Sequence, residues 1–193
     1  GLALAYRKKG DVFLSIKAAQ KGLSMDPDNF YLRINLARNY EMMGRKEHAI
    51  EEYKNLIRLS PGRGFLWQEA ARVLSEKGDL KQAELFLREG IKTQNDLPEL
   101  HYNLGVVLRK QGLMSESIEA LKKAVDLYPS YILARYEMAE ALELQGRGEE
   151  AMAKFKEIAR TNQPDIDTEG LPYGQDVELV KDVIEKAREK SKE

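Results

Sequence analysis

The sequence predicts an all-α protein built from stacked helix pairs, and three observations carry that prediction. Gly10, Gly44, Gly78, Gly112 and Gly146 recur every 34 residues along the 193-residue chain. Small residues keep step with them, since Ser15, Ala49, Ala83, Ser117 and Ala151 each follow five positions later. Between these marks the apolar residues recur at three- and four-residue steps, the period of one helical face. A period of this length signals a repeat architecture rather than a single globular core.

Each element follows from that ruler. Ile34, Leu36, Ala37 and Tyr40 predict a helix over Tyr31–Met43, which Gly44 ends as a left-handed residue that only glycine adopts cheaply. Ala49, Ile50, Tyr53, Leu56 and Ile57 predict a second helix from Lys46 to Leu59. Ser60-Pro61 stops it, because proline disfavours helical geometry in the residue before it. Ala37 and Ala49 fall where the two helices cross, and a larger side chain would push the axes apart. Asn95 takes the place held by Pro27, Pro61 and Pro129, and Gly90 lies inside the preceding helix, so the second helix of the third unit is expected to be the least stable.

The units read as residues 1–29 (partial), 30–63, 64–97, 98–131 and 132–165, followed by a linker and capping helix in 166–193. A unit of this length buries too little apolar surface to fold alone, so neighbours must stabilise one another and the last needs a cap. Val177, Val180, Val183, Ile184 and Ala187 form an apolar stripe that predicts this cap from Asp176 to about Lys190. The chain opens inside a helix at Gly1-Leu2-Ala3, and further repeats upstream are expected.

Composition removes several function classes. Lys+Arg number 31 against 32 Asp+Glu, a formal charge of −1, which argues against nucleic acid as the partner. Cysteine is absent, so there is no disulfide framework or thiol nucleophile. No apolar run approaches the ~20 residues that span a bilayer. No phosphate-cradling, dinucleotide or zinc-protease motif occurs. His101 is expected to be packed and His48 to lie among charges on a different helix, so no metal is expected from the pair. Asp165-Ile166-Asp167-Thr168-Glu169-Gly170 resembles the opening of a calcium loop, with Asp176 at its twelfth place. Glu169, Asp176 and Pro172 each weaken that match. No cofactor and no catalysis are expected.

The run His101-Tyr102-Asn103-Leu104-Gly105, followed by Gly112, Ser117, Leu121, Ala124 and Pro129, and the single tryptophan at Trp67, resemble the tetratricopeptide repeat pattern. The resemblance covers residues 1–165 and implies a right-handed superhelical solenoid whose first helices line a concave groove. It also implies a non-catalytic adaptor that holds a peptide segment of a partner protein.

Positions that the core pattern leaves free on the first helices include Tyr31, Asn35, Arg38, Phe65, Arg72, Tyr102, Asn103, Arg109, Tyr136 and Glu140, and these are the expected binding residues. Glu99 and Leu133 belong to the same expected face. Arg7, Lys8, Arg38 and Arg72 make the amino-terminal half of that face basic, and Glu137, Glu140 and Glu143 make the last repeat acidic.

Two binding modes of the family fit poorly. The clamp for a peptide's terminal carboxylate would fall on Ile34, Arg38, Glu69, Glu99 and Asn103, or on Gln68, Arg72, Asn103, Leu133 and Glu137, and neither set can hold an anion. An asparagine ladder is broken by Glu69 and Glu137, which accept hydrogen bonds but cannot donate them. The alternatives are a self-assembling scaffold, or the targeting domain of a larger enzyme or envelope-assembly protein. A cytoplasmic location is the expectation, with the periplasm open.

Overall fold

The structure, a computed structural model, describes residues 2–161 and 177–192. Every regular element among them is a helix, and the helices form two compact units, Gly1–Asn95 and Asp96–Glu193. The first unit holds α1 (Leu2–Lys8), α2 (Val12–Met25), α3 (Phe30–Met42), α4 (Lys46–Leu59), α5 (Gly64–Lys77) and α6 (Leu80–Thr93). The second holds α7 (Pro98–Lys110), α8 (Met114–Leu127), α9 (Ile132–Leu144), α10 (Gly148–Ala159) and α11 (Val177–Lys190). Asp165–Gly170 and the predicted first residue of the cap, Asp176, lie outside the described residues.

The glycines of the 34-residue ruler adopt the conformation expected of them. All five have positive φ, from 68° at Gly44 to 91° at Gly78. At Gly44 this conformation lets Arg45 N–H donate to Tyr40 O at 2.8 Å, closing the end of α3 and turning the chain straight into α4. The other ends of helices are capped where the sequence offers an oxygen: Asp11, Asn29 and Asp79 accept from Leu14, Leu32 and Gln82 N–H. α6 runs unbroken through Gly90, which is buried.

Within each unit every helix packs on the next, so each helix pair is covered by its neighbour. Ala37, Ala49 and Ala83 are fully buried at the crossings. Where serine replaces alanine, its hydroxyl is used. Ser15 Oγ donates to Ala3 O and accepts from Asn39 Nδ2, both at 2.7 Å, tying α1, α2 and α3 together. Ser117 Oγ donates to Gly105 O at 2.7 Å, joining α8 to α7.

The second unit ends in the expected cap. α11 packs on α10 and α9 and buries Val180, Val183, Ile184 and Ala187 in a cluster with Leu142, Phe155 and Ile158. Val177, the outermost residue of the predicted stripe, is only half-buried. The Lys190 ammonium lies 4.8 Å from the centre of the Phe155 ring.

Candidate ligand-binding surface

In the first unit Tyr31, Asn35, Arg38 and Met42 repeat at three- and four-residue steps and so share one face of α3. That face is open, with Tyr31 76% and Met42 61% exposed. Asn35 Nδ2 donates to Tyr31 O of its own helix at 2.7 Å, leaving its carbonyl oxygen for another partner. Arg38 is exposed and has no ion pair or hydrogen bond to another described side chain.

Beside this face lies an open-sided pocket of about 460 Å³, lined by Arg7, Arg38, Glu41, Met42, Tyr53, Glu69 and Arg72. α1, α3, α4 and α5 each contribute to it. Its far end is a closed polar network. Arg72 pairs with Glu41 and Glu69 on one side of its guanidinium and with Glu76 at 2.7 Å on the other. Tyr53 Oη donates to Glu41 Oε1 at 2.6 Å. Burial first, and then the hydrogen bond to Glu41, push the Tyr53 hydroxyl well above its ordinary range, so its proton stays on this bond. Burial works against the charge on Arg72, but Glu41 and Glu69 outweigh it and hold the guanidinium protonated.

Phe65 lies apart from this pocket, edge-on to Phe30 at 6.4 Å, and Arg63 stacks over the other ring 4.3 Å from its centre. Thus the structure brings Arg38 and Arg72 together and leaves Phe65 in a separate aromatic patch. Glu41 and Tyr53 belong to the pocket although sequence reasoning passed them over. Glu41 had a visible signal, because it stands 34 residues after Arg7 on the same ruler. Tyr53 had none, because a core tyrosine and one whose hydroxyl reaches a pocket share the same helical spacing.

In the second unit the expected residues are engaged internally. Tyr102 is half-buried and packs on Tyr131 with ring centres 5.0 Å apart. Asn103 Nδ2 donates to Glu99 O at 2.8 Å. Arg109 pairs with Glu137 at 2.7 Å. Tyr136 lies edge-on to Phe155, and burial together with the Glu140 carboxylate pushes its hydroxyl up to about 12. Glu140 pairs with Lys190 of the cap at 2.9 Å, and the same ammonium also holds Glu143. Burial pulls the Glu140 carboxyl upward, but Lys190, Tyr136 and Arg109 outweigh it and leave it below the usual carboxylate range.

Two of the positions read as groove-facing are not so. Glu99 and Leu133 are each only 5% exposed, although they hold the same place in their repeats as Tyr31, which is 76% exposed. Of the expected basic end only Arg72 is neutralised, by three carboxylates, whereas the expected acidic end is largely neutralised, Glu137 by Arg109 and Glu140 and Glu143 by Lys190. No group of three metal-ligating side chains occurs among the described residues. None of their helices is long and apolar enough to cross a membrane.

Paired helices on a fixed ruler, with surface ion pairs and an open polar pocket, define an interaction scaffold. Models of the tetratricopeptide repeat match residues 31–63 and 98–131. The chain is a tetratricopeptide repeat protein, with the all-α solenoid fold of that family. It is similar to the crystal structure of MamA, with 26% identity and a TM-score of 0.73 over 81% of this chain and 91% of that one. It shares the fold of a thermophilic tetratricopeptide repeat protein of Thermus thermophilus, at 21% identity and a TM-score of 0.61 over 97% and 95% of the two chains. It also shares the fold of YrrB, described as having an unusual peptide-binding site, at 22% identity and a TM-score of 0.61 over 91% and 88%. A tetratricopeptide repeat and J domain-containing co-chaperone of Cryptococcus neoformans var. grubii is 24% identical over 88 residues, 46% of this chain. The match spans 17% of that relative's length.

Proposed function

We propose that this chain is a non-catalytic adaptor whose first unit holds an extended segment of a partner protein along the open face of α3. The observation that carries this reading is the open pocket between α1, α3, α4 and α5, adjoining the exposed Tyr31 and Met42. Rigid aromatic and arginine side chains beside a pocket are the residue types that anchor interfaces. Asn35 adds a free carbonyl acceptor for a peptide N–H.

Selection of a random twelve-residue peptide library against the chain tests the proposal. Enriched peptides should bind at least tenfold more weakly to Tyr31→Ala and to Arg38→Glu, with helicity unchanged. Arg72→Glu is a poor probe, because it would place a fourth carboxylate among Glu41, Glu69 and Glu76. Failure to enrich any peptide, or peptides indifferent to both variants, would sink the reading.

A second reading has its own observation. Leu2, Phe13 and Leu14 are 64%, 63% and 38% exposed on α1 and α2, a surface that favours self-association. Sedimentation at rising concentration tests it, and a monomer throughout would exclude it.

A further inference from the structure

The 34-residue ruler allows charged positions on successive first helices to be compared step by step. Glu41 of α3 pairs with Arg72 of α5. Moving both positions forward by two repeats (68 residues) gives Arg109 of α7 and Glu140 of α9, again of opposite sign, and the Arg109 charge helps hold Glu140 ionised. Glu143, one repeat beyond Arg109, is held by Lys190 of α11. Moving the Glu41–Arg72 pair back by one repeat gives Arg7 of α1 and Arg38 of α3, whose helices pack on one another. There the two charges are alike. Neither guanidinium has an ion pair or hydrogen bond to another described side chain, and both line the 460 Å³ pocket.

We infer that Arg7 and Arg38 together receive a side-chain carboxylate of the bound segment, an aspartate or glutamate within its length. This deepens the adaptor reading and rests on it. The step that Glu41 closes against Arg72 one repeat further on is here left for a carboxylate supplied from outside. Two guanidiniums with free donors match a carboxylate, which can accept from both at once.

The rest of the pocket sets the position of that group. Tyr53 spends its one proton on Glu41, and Arg72 is committed to three carboxylates, so neither can receive the ligand. Glu41 and Glu69 repel an anion from the α5 end and leave it only the Arg7–Arg38 end. Met42, one turn beyond Arg38 on the same face, offers an apolar neighbour, so the acidic residue is expected beside an aliphatic one.

The test uses a labelled decapeptide of alternating glutamate and leucine, blocked at both ends so that no terminal carboxylate is present. Its partners are the glutamine–leucine counterpart and a version with phosphoserine in place of glutamate. The glutamate peptide should bind saturably, at least tenfold tighter than the glutamine peptide. Arg7→Gln and Arg38→Gln should each remove most of that difference, and raising the salt should weaken binding to the wild-type chain. Arg7→Glu should abolish the preference without lowering the melting temperature, because it restores the opposite-charge pattern of the neighbouring step.

Equal affinity for the glutamate and glutamine peptides, including no binding of either, would overturn the inference. So would a preference that survives in both glutamine variants. A phosphoserine peptide binding tenfold tighter than the glutamate one would overturn the carboxylate assignment in favour of a phosphoryl group. If library selection enriches peptides that lack acidic residues, the adaptor reading stands and only this inference falls.

Discussion

Gly105 offers the sharpest test of how the helix pairs are packed. A Cβ added there would lie 2.4 Å from Leu121 Cγ, 2.8 Å from its Cδ2 and 3.2 Å from its Cδ1. Leu121 is fully buried, and the nearest atom is its branch carbon rather than a flexible tip, so it cannot swing clear. Two effects then compete in Gly105→Ala. Alanine in a helix interior is favoured over glycine by about 1 kcal/mol. Overpacking a tight core costs about 1–3 kcal/mol. The ruler pairs Ala71 with Leu87 at the equivalent place, both buried, so an Ala–Leu contact is acceptable once α7 and α8 open slightly. That keeps the cost within the overpacking range, and after the helix preference is subtracted we expect a net loss of up to about 2 kcal/mol in urea denaturation followed by circular dichroism. Leu121→Ala alone should cost about 2–5 kcal/mol through the cavity it leaves. In that background Gly105→Ala should reverse sign and stabilise, because the new methyl enters empty space while the helix preference remains. If Gly105→Ala stabilises both backgrounds by the same amount, the close approach of Leu121 is not what makes glycine necessary there.

Two further outcomes follow from buried hydrogen bonds and from the cap. Ser15→Ala should cost about 1–3 kcal/mol, since it strips the acceptor from buried Asn39 Nδ2 when Asn39 Oδ1 already lacks a partner. Ser117→Ala removes only a bond to the mid-helix carbonyl of Gly105 and should cost about 1 kcal/mol or less, so comparing the two melts checks the assignment. The Glu140 carboxyl is held below its ordinary value in the folded chain, so its contribution is complete above the unfolded carboxylate range of about 4.3 and is lost as pH falls through the lower folded value. Methyl resonances of Val180 and Ile184 should therefore report loosening of α11 on acidification below about pH 4, and Lys190→Met should remove that Glu140-linked component.

The helical framework was legible because glycine, alanine and proline act locally. Gly44 needs only its own φ to end α3, and Ser60-Pro61 needs only its own sterics to end α4. α4 spans Lys46–Leu59 as the periodicity predicts, while α3 starts and stops one residue before its predicted Tyr31–Met43. Surface chemistry was less legible, because it depends on pairs. Arg38 and Arg72 occupy the same place in successive repeats and look identical in sequence. One is free and the other is locked, and the difference comes from their partners: Glu41, Glu69 and Glu76 surround Arg72, where Arg7, Asn35 and Met42 stand at the same places around Arg38. Glu99 and Leu133 were misplaced for a related reason. Spacing gives the angle of a side chain about its helix, but not whether a neighbouring helix covers that angle.

This dependence on pairs also bears on why the ion pairs are there. Exposed pairs such as Arg72 with Glu76 contribute little to stability, typically about 1 kcal/mol or less, so the ladder of opposite charges is a weak reason for the helices to hold together. Its stronger effect is on what the surface can bind. A guanidinium already shared among three carboxylates would have to give up those contacts to take a ligand, whereas the free guanidiniums of Arg7 and Arg38 gain contacts without losing any. In the first unit the closed Glu41–Arg72 step thus discriminates against anions at its end of the pocket. On the proposed reading, a partner's acidic residue that enters between Arg7 and Arg38 would fix the register of its segment there.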